Sequence, residues 1–121
     1  MDVRHSEMIA RLFEHGWRVV SRARDDLDWW ADEIWTVESE WSPQGFTVFL
    51  TWLVDPQWEG PRPPGQGVWA VGTCLQHPGS DREAKGHLSM SINHWPRDLP
   101  AFLSGLSALR DQGKANPPSP A

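Results

Sequence analysis

The chain has 121 residues, of which 39% are hydrophobic and 22% are charged, and its formal net charge is −5. This length and composition fit one globular domain and exclude a disordered chain. The negative net charge and the scattered basic residues argue against a nucleic-acid partner, because phosphate binding needs a clustered basic face.

The tryptophan content is the unusual feature of the composition, with nine tryptophans and no tyrosine. It predicts a core built from indole rings, a surface lined by them, or both. The single cysteine, Cys74, excludes an intramolecular disulfide and a cysteine-based zinc site. Residues 1–16 do not resemble a signal peptide, and no apolar run is long enough for a membrane helix. The expected location is therefore the cytoplasm, without membrane contact.

The N-terminal segment predicts a helix from Val3 to His15, with Asp2 as its N-cap and Gly16 as a left-handed stop. The apolar stripe of this helix consists of Met8, Ile9, Leu12 and Phe13.

Five strand-like stretches follow, in which apolar residues alternate with polar ones or run together. Phe46–Val54 is apolar on nearly both faces, which is typical of a central strand. The predicted strands are Trp17–Arg24, Glu33–Trp41, Phe46–Val54, Val68–Leu75 and His87–Asn93. Four tryptophans in these patterns are predicted to lie in the core, namely Trp35, Trp41, Trp52 and Trp69.

A final helix is predicted to begin at Asp98 as N-cap, with Pro100 in its first turn, and to end at Gly113. Its apolar stripe consists of Leu99, Phe102, Leu103, Leu106 and Leu109. Residues 114–121 form a Pro-rich tail that is predicted to be disordered and to contribute nothing to the fold.

Short connections between successive strands predict an antiparallel meander. The fold class is therefore α+β: a four- to five-stranded meander sheet with an N-terminal and a C-terminal helix packed on one face, in a single domain over residues 1–113. The alternative for Trp69 is a position on the face of the sheet away from the helices. That face would then be open and would form a homodimer interface or a groove.

The connection Asp55–Gly67 is long and rich in proline and glycine, and such loops are usually functional or disordered. A meander places it at the same edge of the sheet as the connection Arg24–Asp32. We call the residues gathered there the crown: Trp29, Trp30 and Trp58 with Asp25, Asp26, Asp28, Asp32 and Arg62. Within the crown, the predicted ligand-binding residues are Trp29, Trp30, Trp58, Asp28, Asp32 and Arg62.

A plainer interpretation of residues 25–33 is a turn with solvated carboxylates, in which Trp29 or Trp30 folds into the core. The carboxylate spacing does not match a calcium loop. The sequence has five histidines, and none of them stand at the spacing of metal ligands, although His77 and His87 flank one polar loop. The other three are His5, His15 and His94. Cys74 is typical of a small buried apolar residue. No metal, cofactor or catalytic residue is therefore predicted.

Two functions follow from these patterns. The favoured one is a non-enzymatic binding module that uses the Trp-rich acidic crown to hold a protein or a small molecule. The alternative is a small enzyme with carboxylate and histidine acid–base chemistry in a Trp-lined pocket.

Overall fold

The computed structural model describes residues 3–24, 27–39, 46–63 and 65–115, with side chains as far as Asp111. Within these ranges the chain forms helix α1, four strands, a short helix α2, a fifth strand, a 3-10 turn and a long helix α3. The elements are α1 Val3–Glu14, β1 Trp17–Ala23, β2 Ala31–Ser39, β3 Thr47–Val54, β4 Val68–Cys74, α2 Asp81–Ala84, β5 Leu88–Ser91, the 3-10 turn Ile92–His94 and α3 Trp95–Ala115.

The five strands pair in the order β1-β2-β3-β4-β5, and every neighbouring pair is antiparallel. The predicted α+β meander with a helix before and after it is confirmed. The strand β3, which is apolar on nearly both faces, lies at the centre of the sheet.

The main core lies on the face of the sheet that α1 and α3 cover. Alternation along β3 directs Val48, Leu50 and Trp52 to this face. The Trp52 ring lies 5.1 Å from the ring of Trp35 and 5.8 Å from that of Trp95. The helices contribute Met8, Leu12, Leu99, Phe102, Leu103 and Leu106.

A second, smaller cluster lies on the other face of the sheet. It gathers Trp30, Ala31, Ile34 and Leu53 around Ala84 of α2. The helix can approach the sheet because β4 carries Gly72 here, where a Cβ would collide with the carbonyl oxygen of Ala84. The face that was expected to be open is therefore partly covered by α2.

The prediction for α1 is confirmed at Met8, Leu12 and Gly16, but it is wrong at Phe13. Gly16 has φ of +81° and ends the helix as expected. Phe13 is 69% exposed. The buried face of α1 consists of His5, Met8 and Leu12, so its first position is a polar residue that the apolar pattern omitted.

The long helix α3 begins at Trp95, three residues before the predicted N-cap, and its backbone continues past Gly113 to Ala115. It begins early because the Ser91 hydroxyl accepts a hydrogen bond from the Asn93 N–H (3.2 Å) and caps a 3-10 turn that runs directly into the helix. The turn also ends β5 at Ser91, before the predicted Asn93.

Trp35 and Trp52 lie in the core as predicted, but the prediction is wrong for Trp69, which is 43% exposed. The register between β3 and β4 shifts from Leu53↔Ala70 to Val54↔Val68, so Trp69 is an extra residue in β4. A β-bulge of this kind interrupts the alternation on which the prediction depended.

Some predicted features lie outside the described residues: the N-cap Asp2, Trp41 with the short connection at residues 42–45, and residues 116–121. Among the helices that the structure describes, none combines the length and the apolar character that crossing a membrane requires.

Leu106 is fully buried between α3 and the sheet. Leu106→Ala is expected to lower the free energy of unfolding by about 2–5 kcal/mol, because the substitution leaves a cavity. Urea denaturation measures the change, and Phe13→Ala on the exposed face of α1 is the matched control. Equal effects of the two variants would show that α3 does not pack on the sheet as described.

Candidate functional site

A pocket of about 880 Å³ lies at one edge of the sheet, between the connection after β1 and the connection after β3. The two loops share this edge, as the meander predicted. We call it the crown pocket, and its described lining is Arg24, Leu27, Asp28, Trp29, Ala31, Asp32, Val54, Asp55, Pro56, Trp58, Gly60 and Arg62. The predicted crown residues Asp25 and Asp26 lie outside the described residues.

Two of the three predicted crown tryptophans line the pocket. Trp29 is 63% exposed and Trp58 is 40% exposed. Trp30 is only 7% exposed and packs in the second cluster, so it does not line the pocket. The backbone of Trp30 also accepts a hydrogen bond from the Val54 N–H (2.9 Å), which ties the end of the turn to β3. Trp58 is therefore exposed at the same edge of the sheet as Trp29.

A hydrogen bond joins the two ends of the loop that carries Trp58, and the backbone of the loop packs against the indole ring. The Asp55 N–H donates to the Gly67 carbonyl (2.7 Å), and the Asp55 carboxylate accepts the Gln57 N–H (2.8 Å). Gly67 has φ of +74°, and a Cβ there would lie 2.9 Å from Cε3 of Trp58. Only glycine satisfies both conditions, so Gly67 holds the ring close to the backbone.

Asp32 is the most buried carboxylate of the pocket, at 5% exposure. Its Oδ1 accepts hydrogen bonds from the Arg62 guanidinium (2.7 Å) and from the Gly65 N–H (3.0 Å). Its Oδ2 is buried and has no hydrogen-bond partner. Arg62 also donates to the Gln66 carbonyl (2.8 Å). Asp32 therefore ties β2 to the connection after β3, while its oxygen Oδ2 lacks a hydrogen-bond donor.

A β-bulge explains why Asp32 reaches the pocket. The register between β2 and β3 steps from Ala31↔Leu53 to Glu33↔Trp52, which leaves Asp32 as one extra residue in β2. Bulges redirect side chains in this way and are common beside binding sites.

A buried ionic cluster that the sequence patterns did not predict lies next to this bulge. The Glu33 carboxylate is fully buried and accepts the Arg22 guanidinium at 3.0 and 3.3 Å and the Trp35 indole N–H at 3.0 Å. The Arg22 guanidinium also lies over the Trp35 ring, 4.8 Å from its centre. His5 Nδ1 lies 3.4 Å from the Glu33 carboxylate. Glu33 shares the alternation of Trp35 and Val37, so extending that pattern back by two residues would have predicted a buried carboxylate.

One group of potential metal ligands exists in the described part of the chain: His5, Asp32 and Glu33 each offer an atom within 4.8 Å of the others. The Arg22 guanidinium nitrogen lies 3.2 Å from His5 Nδ1 and 3.3 Å from Glu33 Oε2. The Arg22 guanidinium thus already contacts two of the three members of this group, and a metal ion would have to compete with it.

Cys74 does not have the environment of a nucleophile. Burial raises the pKa of the Cys74 thiol, and its Sγ donates to the Gln76 carbonyl (2.9 Å). A reactive cysteine needs the opposite shift, toward the thiolate. His77 and His87 line the same small pocket as Cys74, together with Glu83. The His77 ring packs edge-on against Phe49 with their centres 5.6 Å apart.

Glu33→Ala is expected to lower the free energy of unfolding by about 3–5 kcal/mol, because it leaves the partly buried Arg22 guanidinium without its counter-charge and the Trp35 indole N–H without its acceptor. Glu38→Ala on the same strand is the control: Glu38 pairs with Arg18 at 3.4 Å in an exposed position, and such pairs contribute about 1 kcal/mol or less. Urea denaturation of both variants measures the difference. A loss at Glu33 no larger than the loss at Glu38 would contradict the role given to the cluster.

Dialysis against a chelator is expected to leave the melting temperature unchanged, because Arg22 supplies the cation at the His5–Glu33 pair. Added zinc or calcium is expected to have no effect either. Stabilisation by several degrees with either ion, measured in a thermal melt, would show that a metal displaces Arg22.

Comparisons with known proteins found no match: no protein-family model fits the sequence, no curated protein is significantly similar to it, and no solved structure is significantly similar to the fold.

Proposed function

We propose that this protein is a non-enzymatic binding module that holds its ligand in the crown pocket. The observation that carries the proposal is the exposure of Trp29 and Trp58 on one pocket of about 880 Å³. This volume lies within the range of small-molecule sites, about 300–1,000 Å³. Large aromatic rings are normally buried, and two rings on the wall of one pocket offer a ligand apolar area with defined geometry.

The chemistry of the lining favours binding over catalysis. The described lining residues include carboxylates and guanidiniums but no histidine, cysteine, serine or lysine. Its most buried carboxylate, Asp32, is paired with Arg62. His5, the histidine closest to these carboxylates, is 5% exposed and contacts Arg22 and Glu33. The alternative of carboxylate and histidine catalysis would need this histidine to reach a substrate, so it has weaker support.

The pocket wall is also preorganised. Gly67 packs against the Trp58 ring, and the base of the loop is closed by the hydrogen bond between Asp55 and Gly67. A side chain that is already held in place loses little conformational entropy when a ligand binds. The interaction energy of Trp58 is therefore available for affinity rather than for ordering the loop.

The test uses three probes of one shape and different charge: benzylamine, benzyl alcohol and benzoate. At least one probe is expected to bind with a Kd of about 1 mM or below, the range typical of ligands with few atoms, measured by NMR titration. The double variant Trp29→Ala/Trp58→Ala is expected to weaken binding at least ~10-fold, which corresponds to about 1.4 kcal/mol.

Trp69→Ala is the matched control, because Trp69 is as exposed as Trp58 and is not among the described residues that line the pocket. It is expected to bind the probes as the unmodified protein does. The proposal fails if none of the three probes binds, or if Trp69→Ala weakens binding as much as the double variant does.

A further inference from the structure

We infer that the crown pocket selects an organic cation, a ligand with an ammonium or guanidinium group, and that Asp32 is the counter-ion for that group. The inference rests on the proposed function and specifies the chemical class of its ligand. Three observations lead to it: an unsatisfied buried oxygen, the balance of charge and aromatic surface, and an internal cation already held by the same carboxylate.

The first observation is the state of the Asp32 carboxylate. Asp32 lines the pocket and is 95% buried, since its exposure is 5%. Its Oδ1 has two donors, whereas its buried Oδ2 has none. A buried carboxylate oxygen without a donor is costly. The charge of this carboxylate is therefore only partly compensated, so Asp32 favours a positively charged donor on the side where Oδ1 accepts its hydrogen bonds.

The second observation is the composition of the walls. Three carboxylates line the pocket, those of Asp28, Asp32 and Asp55, against two guanidiniums. The exposed rings of Trp29 and Trp58 add negative quadrupole faces, which attract cations. An anionic ligand would meet this excess of carboxylates, whereas a cation meets opposite charge and aromatic faces together.

The third observation is Arg62. Its guanidinium donates to Asp32 Oδ1 at 2.7 Å, and the Arg62 side chain is 21% exposed. The protein thus already places a planar cation against this carboxylate inside the pocket. Because the Asp32 oxygen Oδ2 is occluded, a ligand cation reaches the carboxylate by shifting Arg62 toward solvent and replacing its contact. Arg62 is therefore expected to compete with the ligand.

The charge series tests the inference on the unmodified protein. Benzylamine is expected to bind at least ~10-fold more tightly than benzyl alcohol at low salt, and benzoate is expected to bind most weakly; a ratio of 10 corresponds to about 1.4 kcal/mol. Equal binding of benzylamine and benzyl alcohol would overturn the cation preference and leave the proposed function intact. The absence of binding by all three probes would overturn both.

Asp32→Asn tests the assigned counter-ion. The amide oxygen retains an acceptor for Arg62 and Gly65, while the charge is lost and an N–H group stands where an acceptor was. Benzylamine is expected to lose ~10-fold in affinity and benzyl alcohol to stay within ~2-fold. Glu38→Gln, at an exposed carboxylate that is not among the described residues lining the pocket, is the control, with an expected change of no more than ~2-fold for benzylamine.

Arg62→Gln is expected to raise the affinity for benzylamine, in contrast to Asp32→Asn, because it removes the cation that competes with the ligand. Benzylamine is expected to bind several-fold more tightly to this variant, and a weaker or unchanged affinity would contradict the competition. Melting curves of the variants identify any that do not fold, and the charge series on the unmodified protein decides the inference in that case. Displacement of bound benzylamine by zinc or magnesium chloride at matched ionic strength would show that the site takes a metal ion instead.

Discussion

The buried carboxylate of Glu33 is the constraint around which the N-terminal half of the structure is arranged. A charge with no solvent exposure is stable only when opposite charge and hydrogen-bond donors surround it. Here Arg22 of β1 and the indole N–H of Trp35 of β2 supply the donors, and His5 of α1 lies beside them. One side chain therefore joins a helix and two strands, and it does so in the centre of the aromatic core: the His5 ring lies 4.4 Å from that of Trp52.

The same stretch of β2 connects this core to the crown pocket. The bulge at Asp32 gives two adjacent acidic residues different partners. Glu33 pairs with Arg22 of β1, and Asp32 pairs with Arg62 of the connection after β3. Glu33 also lies 3.9 Å from the Arg24 guanidinium, so each carboxylate has at least one guanidinium partner, which explains how neighbouring negative charges can both be buried. The two carboxylates differ in their hydrogen bonds: Glu33 has donors on both oxygens, whereas Asp32 has donors on one.

The tryptophans of the core and those of the crown pocket form two separate groups. Trp35, Trp52 and Trp95 pack together in the main core: Trp52 stacks on Trp95 and is tilted against Trp35. The Trp95 indole N–H donates to the Glu7 carboxylate (2.9 Å), which ties α3 to α1. Trp29 and Trp58 stand on the walls of the crown pocket. Among the described tryptophans, some therefore fill the core with large rings and others stand exposed, two of them on the wall of one pocket.

The sequence by itself determined the fold class, a meander of four to five antiparallel strands and the edge at which the two loops meet. These features depend on local periodicity, on turn residues such as Gly16 and on the lengths of the connections, all of which can be read along the chain. Only the tertiary structure decided that Trp69 is exposed, that Trp30 is buried while Trp29 is not, and that His5, Arg22 and Glu33 converge. Bulges in β2 and β4 shift the alternation by one residue, and the ionic cluster joins residues from three elements. The bulges leave no periodic signal, because they depend on which partner strand pairs with the residue in space. The alternation of Trp35 and Val37 extends to Glu33, but the partners of Glu33 on β1 and α1 cannot be read from that alternation.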